Sequence, residues 1–337
     1  MGNGGILRAG IIGLGIGEQH VRAYQSVEGV EVFAVCDLDS EKADAIARQY
    51  DVKRRETDWR LLTEDPDIDV ISIASYDNIH AEQVVSALEN GKHVFIEKPM
   101  CLTPDEAEAI KQALDAHPDL KLSSNLPLRT CPRFKRLRDE MQSGAMGDVY
   151  HLEADYLWGR SQKLTNGWRR EMPFYSIVLG ASIHMIDLIL WFKGEAPIEV
   201  SGHGSRIALA KDQLGFDDFA VNTLHFADGT FARVSAHGGC AHPHFHAVRA
   251  YGTELSFHHG LNGAYWVDSS DPSTTPKPET ADYPARNERR TILASFLAYI
   301  RDSRKTPLVT AADAFLTMDI ALAADRAIRE GRAQQIS

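Results

Sequence analysis

Several features that assign a chain to a partner or compartment are scarce in these 337 residues. No apolar run approaches the roughly 20 residues needed to span a bilayer. The opening MGNGGILRAG shows no secretory-leader pattern, and Ile6 stands where a myristoylation signal wants Ser or Thr. Only four cysteines occur, Cys36, Cys101, Cys131 and Cys240, too dispersed for a disulfide framework, a redox pair or a metal clip. That usage predicts reduced thiols and a cytoplasmic protein. Basic residues are outnumbered, 36 Lys and Arg against 47 Asp and Glu, for a net charge of −11. An acidic chain with no basic patch argues against nucleic acid or an anionic membrane as a main partner. Internal repeats and low-complexity segments are absent too. These absences leave a soluble protein with a small-molecule or protein partner as the expectation.

What is present is a rhythm. The first third alternates apolar runs with amphipathic stretches: strands at 7–15, 30–37, 69–75, 92–97 and 121–125, helices at 17–27, 40–50, 80–91 and 104–117. Ser40 is placed to cap the second helix, and Gly91 closes the third. Strand–helix alternation at this spacing predicts a doubly wound parallel sheet of Rossmann type, with its strand-end residues on one rim. After residue 126 the pattern changes to a helix at 133–144, a strand at 149–159, a polar linker and a helix at 180–192. Strands without intervening helices follow, broken at ADGT and YGTE as by hairpin turns. The expectation is an α/β domain over 1–125 and an α+β domain over 126–337 with a large, mainly antiparallel open sheet, the last helices packing back on the first domain.

Gly13, Gly15 and Gly17 follow a strand and open a helix, the context in which a backbone approaches a pyrophosphate. The spacing GLGIG, with Ile16 inside it, is irregular, because Glu18 holds the third standard position. Asp37 ends the next strand about 20 residues on, where an acid accepts ribose hydroxyls. Only Leu38 and Asp39 follow it, with no Arg to meet a 2′-phosphate, so NAD is favoured over NADP. HVFIEKPM at 93–100 ends a buried strand in Glu97, Lys98 and Pro99, and Pro99 fixes the backbone there and is compatible with a cis bond. Beside a nicotinamide, Lys98 would hydrogen-bond a substrate hydroxyl and Glu97 would hold the nicotinamide ribose or tune the lysine. His184 lies in an apolar helix, where a lone His reads first as a core residue, with Asp187 three residues on as a structural partner or a solvated cap. His242, His244 and His246 alternate as if along one strand face, with His237 and Cys240 just before; Pro243 interrupts them, and zinc remains a side reading.

GLGIG at 13–17, CD at 36–37, ASYDNIHAEQVVSALENGKHVFIEKP at 74–99, SGAMGDV at 143–149, GWR at 167–169 and IHMIDLILW at 183–191 occur in one order. Together they resemble the glucose-fructose oxidoreductase, inositol dehydrogenase and MocA-like family of nicotinamide-dependent oxidoreductases, over nearly the whole chain. The resemblance implies Lys98 as the lysine that binds the reacting hydroxyl and His184 as the general base of alcohol oxidation. Hydride would pass directly between the substrate carbon and the nicotinamide. It also implies Ser75, Tyr76, Asp77 and His80 along the cofactor, Asn125 near nicotinamide and substrate, and Trp168 and Arg169 as a pair near cofactor or substrate. A homodimer or homotetramer built on the open sheet is implied as well.

Three departures stand against the pattern. Asp77 replaces an expected Asn, and the glycine loop is one residue short. Gly180 stands where many sugar dehydrogenases of the family carry an Asp four residues before the histidine, and Phe174-Tyr175-Ser176 replaces a glycine run. Tyr175 is a candidate to fill part of that space. In LPLRTCP at 126–132, Arg129 is a candidate grip for a substrate carboxylate or phosphate. The expected activity is NAD-dependent oxidation of a secondary hydroxyl of a sugar, polyol or sugar derivative. An NAD-dependent glycosidase with transient sugar oxidation and a catalytically silent regulator remain as alternatives.

Overall fold

The computed structural model describes residues 5–172, 174–212 and 214–336. Its contacts divide into two units: residues to Thr130 together with Arg286–Met318, and Cys131–Ala285 together with the chain from Asp319.

In the first unit six parallel strands run in the order β3-β2-β1-β4-β5-β6. They are β1 (Leu7–Ile12), β2 (Val30–Cys36), β3 (Arg54–Glu56), β4 (Val70–Ile73), β5 (His93–Ile96) and β6 (Leu122–Ser124). The central runs are apolar because both faces are covered: Ile11, Ile71, Ile73, Phe95 and Ile96 are fully buried. The order reverses between β1 and β4, the switch point where open α/β sheets bind ligands. Register brings the strand ends level: Ile12 pairs with Cys36 and Ile73, Ile73 with Ile96, and Ile96 with Ser124. The next residues of each strand, Gly13, Asp37, Ala74, Glu97 and Asn125, therefore share one edge. The short strand β3 and the helix Arg60–Thr63 after it have too few residues for a readable period and were not anticipated.

The helix Ser40–Gln49 corrects one expectation. Its cap is Asp39, whose carboxylate accepts from the amides of Glu41 and Lys42, while Ser40 is already helical. Adjacent Asp and Ser both suit a cap, and backbone position decides which serves.

The second unit is built on a nine-stranded sheet in the order β14-β13-β12-β11-β7-β10-β9-β8-β15. Its strands are β7 (Val149–Leu157), β8 (Glu199–Ser205), β9 (Phe219–His225), β10 (Phe231–His237), β11 (Phe245–Gly252), β12 (Ser256–Gly260), β13 (Gly263–Val267), β14 (Lys277–Pro278) and β15 (Gln334–Gln335). All neighbours pair antiparallel except β7 with β10. Strand β7 alternates, with Leu152, Ala154 and Tyr156 buried on one face and Glu153 and Asp155 on the other. The helix Ile183–Lys193 packs on β7, is buried along almost its whole length, and ends at Gly194 in a left-handed conformation. A π-helical turn, Val178–Ser182, leads into it.

Candidate active site

Three glycines divide the work at the β1 turn. Gly13 has φ +81°, and a Cβ there would lie 2.5 Å from the Ala74 carbonyl oxygen, so only glycine makes the turn. Gly15 has nothing within 4 Å of a would-be Cβ, which leaves its backbone open to a ligand. A Cβ on Gly17 would meet Ile11 Cγ2 at 3.1 Å, so Gly17 lets the helix Gly17–Gln25 sit close on the sheet. Tight turn, open approach and close helix packing are the three tasks of a dinucleotide loop. Gly17 performs the third, and Glu18 in the standard position costs nothing. Ile16 is the half-buried residue entering that helix.

Asp37 follows β2. Its Oδ2 accepts from the Leu14 amide at 2.7 Å and the Lys42 ammonium at 2.8 Å, and its Oδ1 from the Asp39 amide at 3.1 Å. Burial pushes this carboxyl up, but Lys42 and the two amides outweigh it and hold it below its ordinary range. A cation five residues on, in the first turn of Ser40–Gln49, thus pairs with it.

At the ends of β5 and β6 a buried network forms. His20, fully buried, lies 2.8 Å from Ser72 Oγ through Nδ1 and 3.0 Å from Glu97 Oε1 through Nε2. Its Nε2–H donates to the carboxylate. Asn125 donates to the same Glu97 oxygen at 2.5 Å. Burial alone would raise Glu97, yet the bond and charge from His20, followed by Asn125 and Arg289, pull it down to about 2. Glu97 is therefore a fixed anion. Asn125 is 2% exposed and its Oδ1 accepts from no group among the described residues. Lys98 is half-buried beside this anion, and the Lys98–Pro99 bond is cis.

The remaining nominees of the first unit separate by burial. Ser75 Oγ donates to Gln83 at 2.6 Å. His80 is fully buried, its ring nitrogens 2.7 Å from the Pro99 carbonyl and 3.2 Å from that of Ser75. It ties the β4 and β5 loops to one another. Tyr76 is exposed and Asp77 opens the short helix Asp77–Ile79. Arg129 is buried and ion-paired to Asp313 at 3.1 Å. These residues fit a bound dinucleotide: a glycine turn with one open backbone approach, an acid at the end of the next strand, and a buried acceptor with no donor among the described residues.

In the second unit His184 is half-buried and stacks on Tyr156, ring centroids 5.6 Å apart and planes 8° from parallel. His244 and His246 approach the same tyrosine edge-on at 5.2 and 5.0 Å. His246 is pushed down to about 3 by burial, then by the charges of His244, His259 and Arg160. The three-histidine strand face is corrected: β11 begins at Phe245, His242 turns to its own Pro243 carbonyl and His244 to that of Trp158. Among the described residues no group of three or more His, Cys, Asp or Glu gathers to hold a metal. Asp187 is 1% exposed, so it is no solvated cap. Trp168 and Arg169 lie in the short helix Trp168–Glu171, the guanidinium 4.3 Å from the indole centroid.

Tyr175 is buried with its hydroxyl in the space that a Cβ on Gly180 would occupy. Ring and glycine are thus matched. Gly180→Ala is expected to cost about 1–3 kcal/mol by overpacking. A double-mutant cycle with Tyr175→Ala, followed by denaturant unfolding, should return a coupling above about 0.5 kcal/mol. Strict additivity would show that the ring is not what holds position 180 to glycine.

His20, Ser72, Lys42, Tyr156 and Trp158 were not singled out from sequence. A signal existed for His20: it sits among Gly17, Val21, Ala23 and Tyr24 on the buried stripe of its helix, where the period calls for an apolar residue.

Residues 7–124 match the model of the oxidoreductase family with an NAD-binding Rossmann fold, and residues 134–258 match the GFO/IDH/MocA C-terminal domain. The class is therefore that of NAD-binding oxidoreductases. Within it, the chain belongs to the GFO/IDH/MocA family. It is 26% identical over 338 residues to the scyllo-inositol 2-dehydrogenase (NAD(+)) of Bacillus subtilis, covering 98% of this chain and 96% of that protein. Levoglucosan dehydrogenase of Pseudarthrobacter phenanthrenivorans is 26% identical over 262 residues, 68% of this chain and 67% of its own. In fold it is similar to myo-inositol 2-dehydrogenase from Lactobacillus plantarum, with TM-score 0.82, 24% identity and coverage of 98% and 99% of the two chains.

Proposed function

We propose that this protein oxidises a secondary hydroxyl of a sugar or polyol, with NAD as acceptor. The observation that carries the reading is the level edge of the parallel sheet, where Gly13, Asp37, Glu97, Lys98 and Asn125 follow four strand ends in register. The relatives' names, an inositol and a levoglucosan dehydrogenase, supply the substrate class.

NAD, when bound, supplies the nicotinamide that accepts a hydride. Gly13, Gly15, Ile16 and Gly17 would cradle it at the helix N-terminus, and Asp37 would take the adenosine ribose. Ser75, Tyr76 and Asp77 would lie along it, and His80 would hold the loops that carry Ser75 and Lys98. Glu97 and Asn125 would grip the nicotinamide ribose or amide, Asn125 using its unfilled oxygen. Lys98 donates to the substrate hydroxyl and stabilises the developing alkoxide. His184 removes the hydroxyl proton and returns it in the reverse direction. Tyr175, next to Gly180 in the turn before His184, would shape the substrate's surroundings. Arg129, ion-paired to Asp313, is the weakest substrate contact proposed. The first unit would thus be the NAD-binding domain and the second the substrate-binding one. The open nine-stranded sheet would pair copies as a homodimer or homotetramer, and four cysteines outside any disulfide fit a cytoplasmic protein.

The test is NADH formation by the purified protein with inositols, aldoses, uronic acids and nucleotide sugars, each repeated with NADP. Turnover of one class with a preference for NAD is expected. Tight NAD binding with silence across the panel, or sugar cleavage without NADH accumulation, would overturn the reading.

A further inference from the structure

A base works only if its lone pair points at the proton, and a histidine's backbone does not settle that direction. The torsion that turns the imidazole plane is broad, so a neighbouring group has to fix it. On a helix the neighbours along one face stand three or four residues away. One turn ahead of His184 that place is Gly180, which has no side chain, and the Tyr175 hydroxyl lies where its Cβ would be. A ring from the sheet meets the imidazole face to face instead. Tyr156 lies 5.6 Å from His184, centroid to centroid, with planes 8° from parallel, which is an offset stack.

Tyr156 is itself firmly held. It is 7% exposed on the central strand β7, paired with Ala236 of β10 and His246 of β11. His246 and His244 pack on it edge-on, and Trp158 lies at 5.6 Å. Those rings are anchored in turn. The His246 amide donates to the Tyr283 hydroxyl at 3.0 Å, with Nδ1 2.7 Å from the same oxygen, and His244 Nδ1 donates to the Trp158 carbonyl at 3.0 Å. Burial raises the Tyr156 phenol against the opposing pull of Arg160 and Arg169, so the ring stays neutral, and its hydroxyl accepts from Arg160. A neutral ring met face-on neither takes nor gives the imidazole proton. What it offers is a fixed flat surface, because closely packed side chains leave one another little room to turn.

We infer that Tyr156 is a positioning residue for His184: by stacking, it fixes the plane in which the imidazole meets its proton, where Gly180 has no side chain to do so. This rests on the reading of His184 as the general base. Orientation of a base matters in the transition state, so the loss should fall on kcat and leave KM and NADH affinity close to the parent. The full-length protein would be assayed with NAD and each of scyllo-inositol, myo-inositol and levoglucosan, with thermal melts to show that every variant folds.

Tyr156→Leu, which keeps an apolar side chain and loses the flat ring, should lower kcat about tenfold or more, the order of loss that misplacing a reacting group brings. Tyr156→Phe keeps the ring and should recover most of it. In a His184→Ala background Tyr156→Leu should change kcat by less than about threefold, since no imidazole is left to position. Histidine ring resonances of the NADH-bound protein, assigned by their loss in His184→Ala, need no turnover. The His184 ring protons should lie upfield in the parent and in Tyr156→Phe, and move back in Tyr156→Leu. Equal losses of kcat with and without His184, equal losses in the Leu and Phe variants, or His184 protons that are not upfield in the parent each overturn the inference. Turnover that needs His184 and ignores Tyr156 sinks the inference alone, whereas parental turnover in His184→Ala removes the base itself. Silence with all three substrates would count against the dehydrogenase reading, and the resonances would still decide whether Tyr156 holds the ring.

Discussion

Lys98→Met is expected to lower kcat/KM by about 10²–10⁴-fold, the range over which positioned proton-handling groups act. Methionine keeps the length and apolar stem of the side chain and removes the ammonium. Lys98 sits between two constrained neighbours. Glu97 is clamped by His20 and Asn125, and the Pro99 carbonyl is held by His80. The ammonium is thus presented by a rigid loop at the sheet rim, and on the proposed reading its hydrogen bond to a nascent alkoxide would lower the barrier. Steady-state NADH formation, with melting temperature as a control on folding, measures the effect. Turnover within threefold of the parent would remove Lys98 from the chemistry.

The second large effect is on stability, and it follows from the same network. His20→Leu leaves the Glu97 carboxylate and the Ser72 hydroxyl in the interior without their shared partner. Glu97's side chain is 13% exposed, so solvent offsets little of the loss. Breaking a buried pair from one side costs about 3–5 kcal/mol, visible as a lower denaturant midpoint. Acid reports on the same carboxyl. Its value in the folded protein is about 2 against an ordinary 4.5. A group depressed on folding stabilises the protein fully above its unfolded value and loses that contribution as pH falls toward its folded one. The ionised Glu97 should therefore contribute about 3 kcal/mol above about pH 4.5, fading progressively toward pH 2. Glu153 and Asp228, also drawn down to about 2, titrate in the same window. The informative quantity is the difference between the parent and Glu97→Gln. Its pH slope should flatten between pH 5 and 3, and parallel slopes would mean that Glu97 is not held as a buried anion.

Local pattern was enough where an element buries one face or both. The four-residue runs VISI and HVFI read as strands because a parallel sheet covers both sides, and the helix Ile183–Lys193 read as buried because it is apolar all round. Short elements escaped: Arg54–Glu56 and Arg60–Thr63 carry too few side chains to show a period. So did the parallel pairing of β7 with β10, since alternation along a strand is the same whichever way its neighbour runs. The histidines from 242 to 246 misled because alternation alone does not say where a strand begins.

For the candidate site, residue identity along the chain was sufficient to nominate the glycine turn, Asp37 and the Glu97-Lys98-Pro99 corner, because each follows a strand, whereas Asn125 and the role of His184 came from the family resemblance alone. Tertiary structure alone decided which groups act on them. Lys42 reaches Asp37 from the next helix, and His20 reaches Glu97 across 77 positions of chain. Tyr175 fills the space over Gly180, and Tyr156 of β7 lays its ring on His184. The physical reason is that ionisation, hydrogen-bond satisfaction and packing depend on atoms within a few ångströms, and folding draws those atoms from positions whose sequence separation carries no record of the distance.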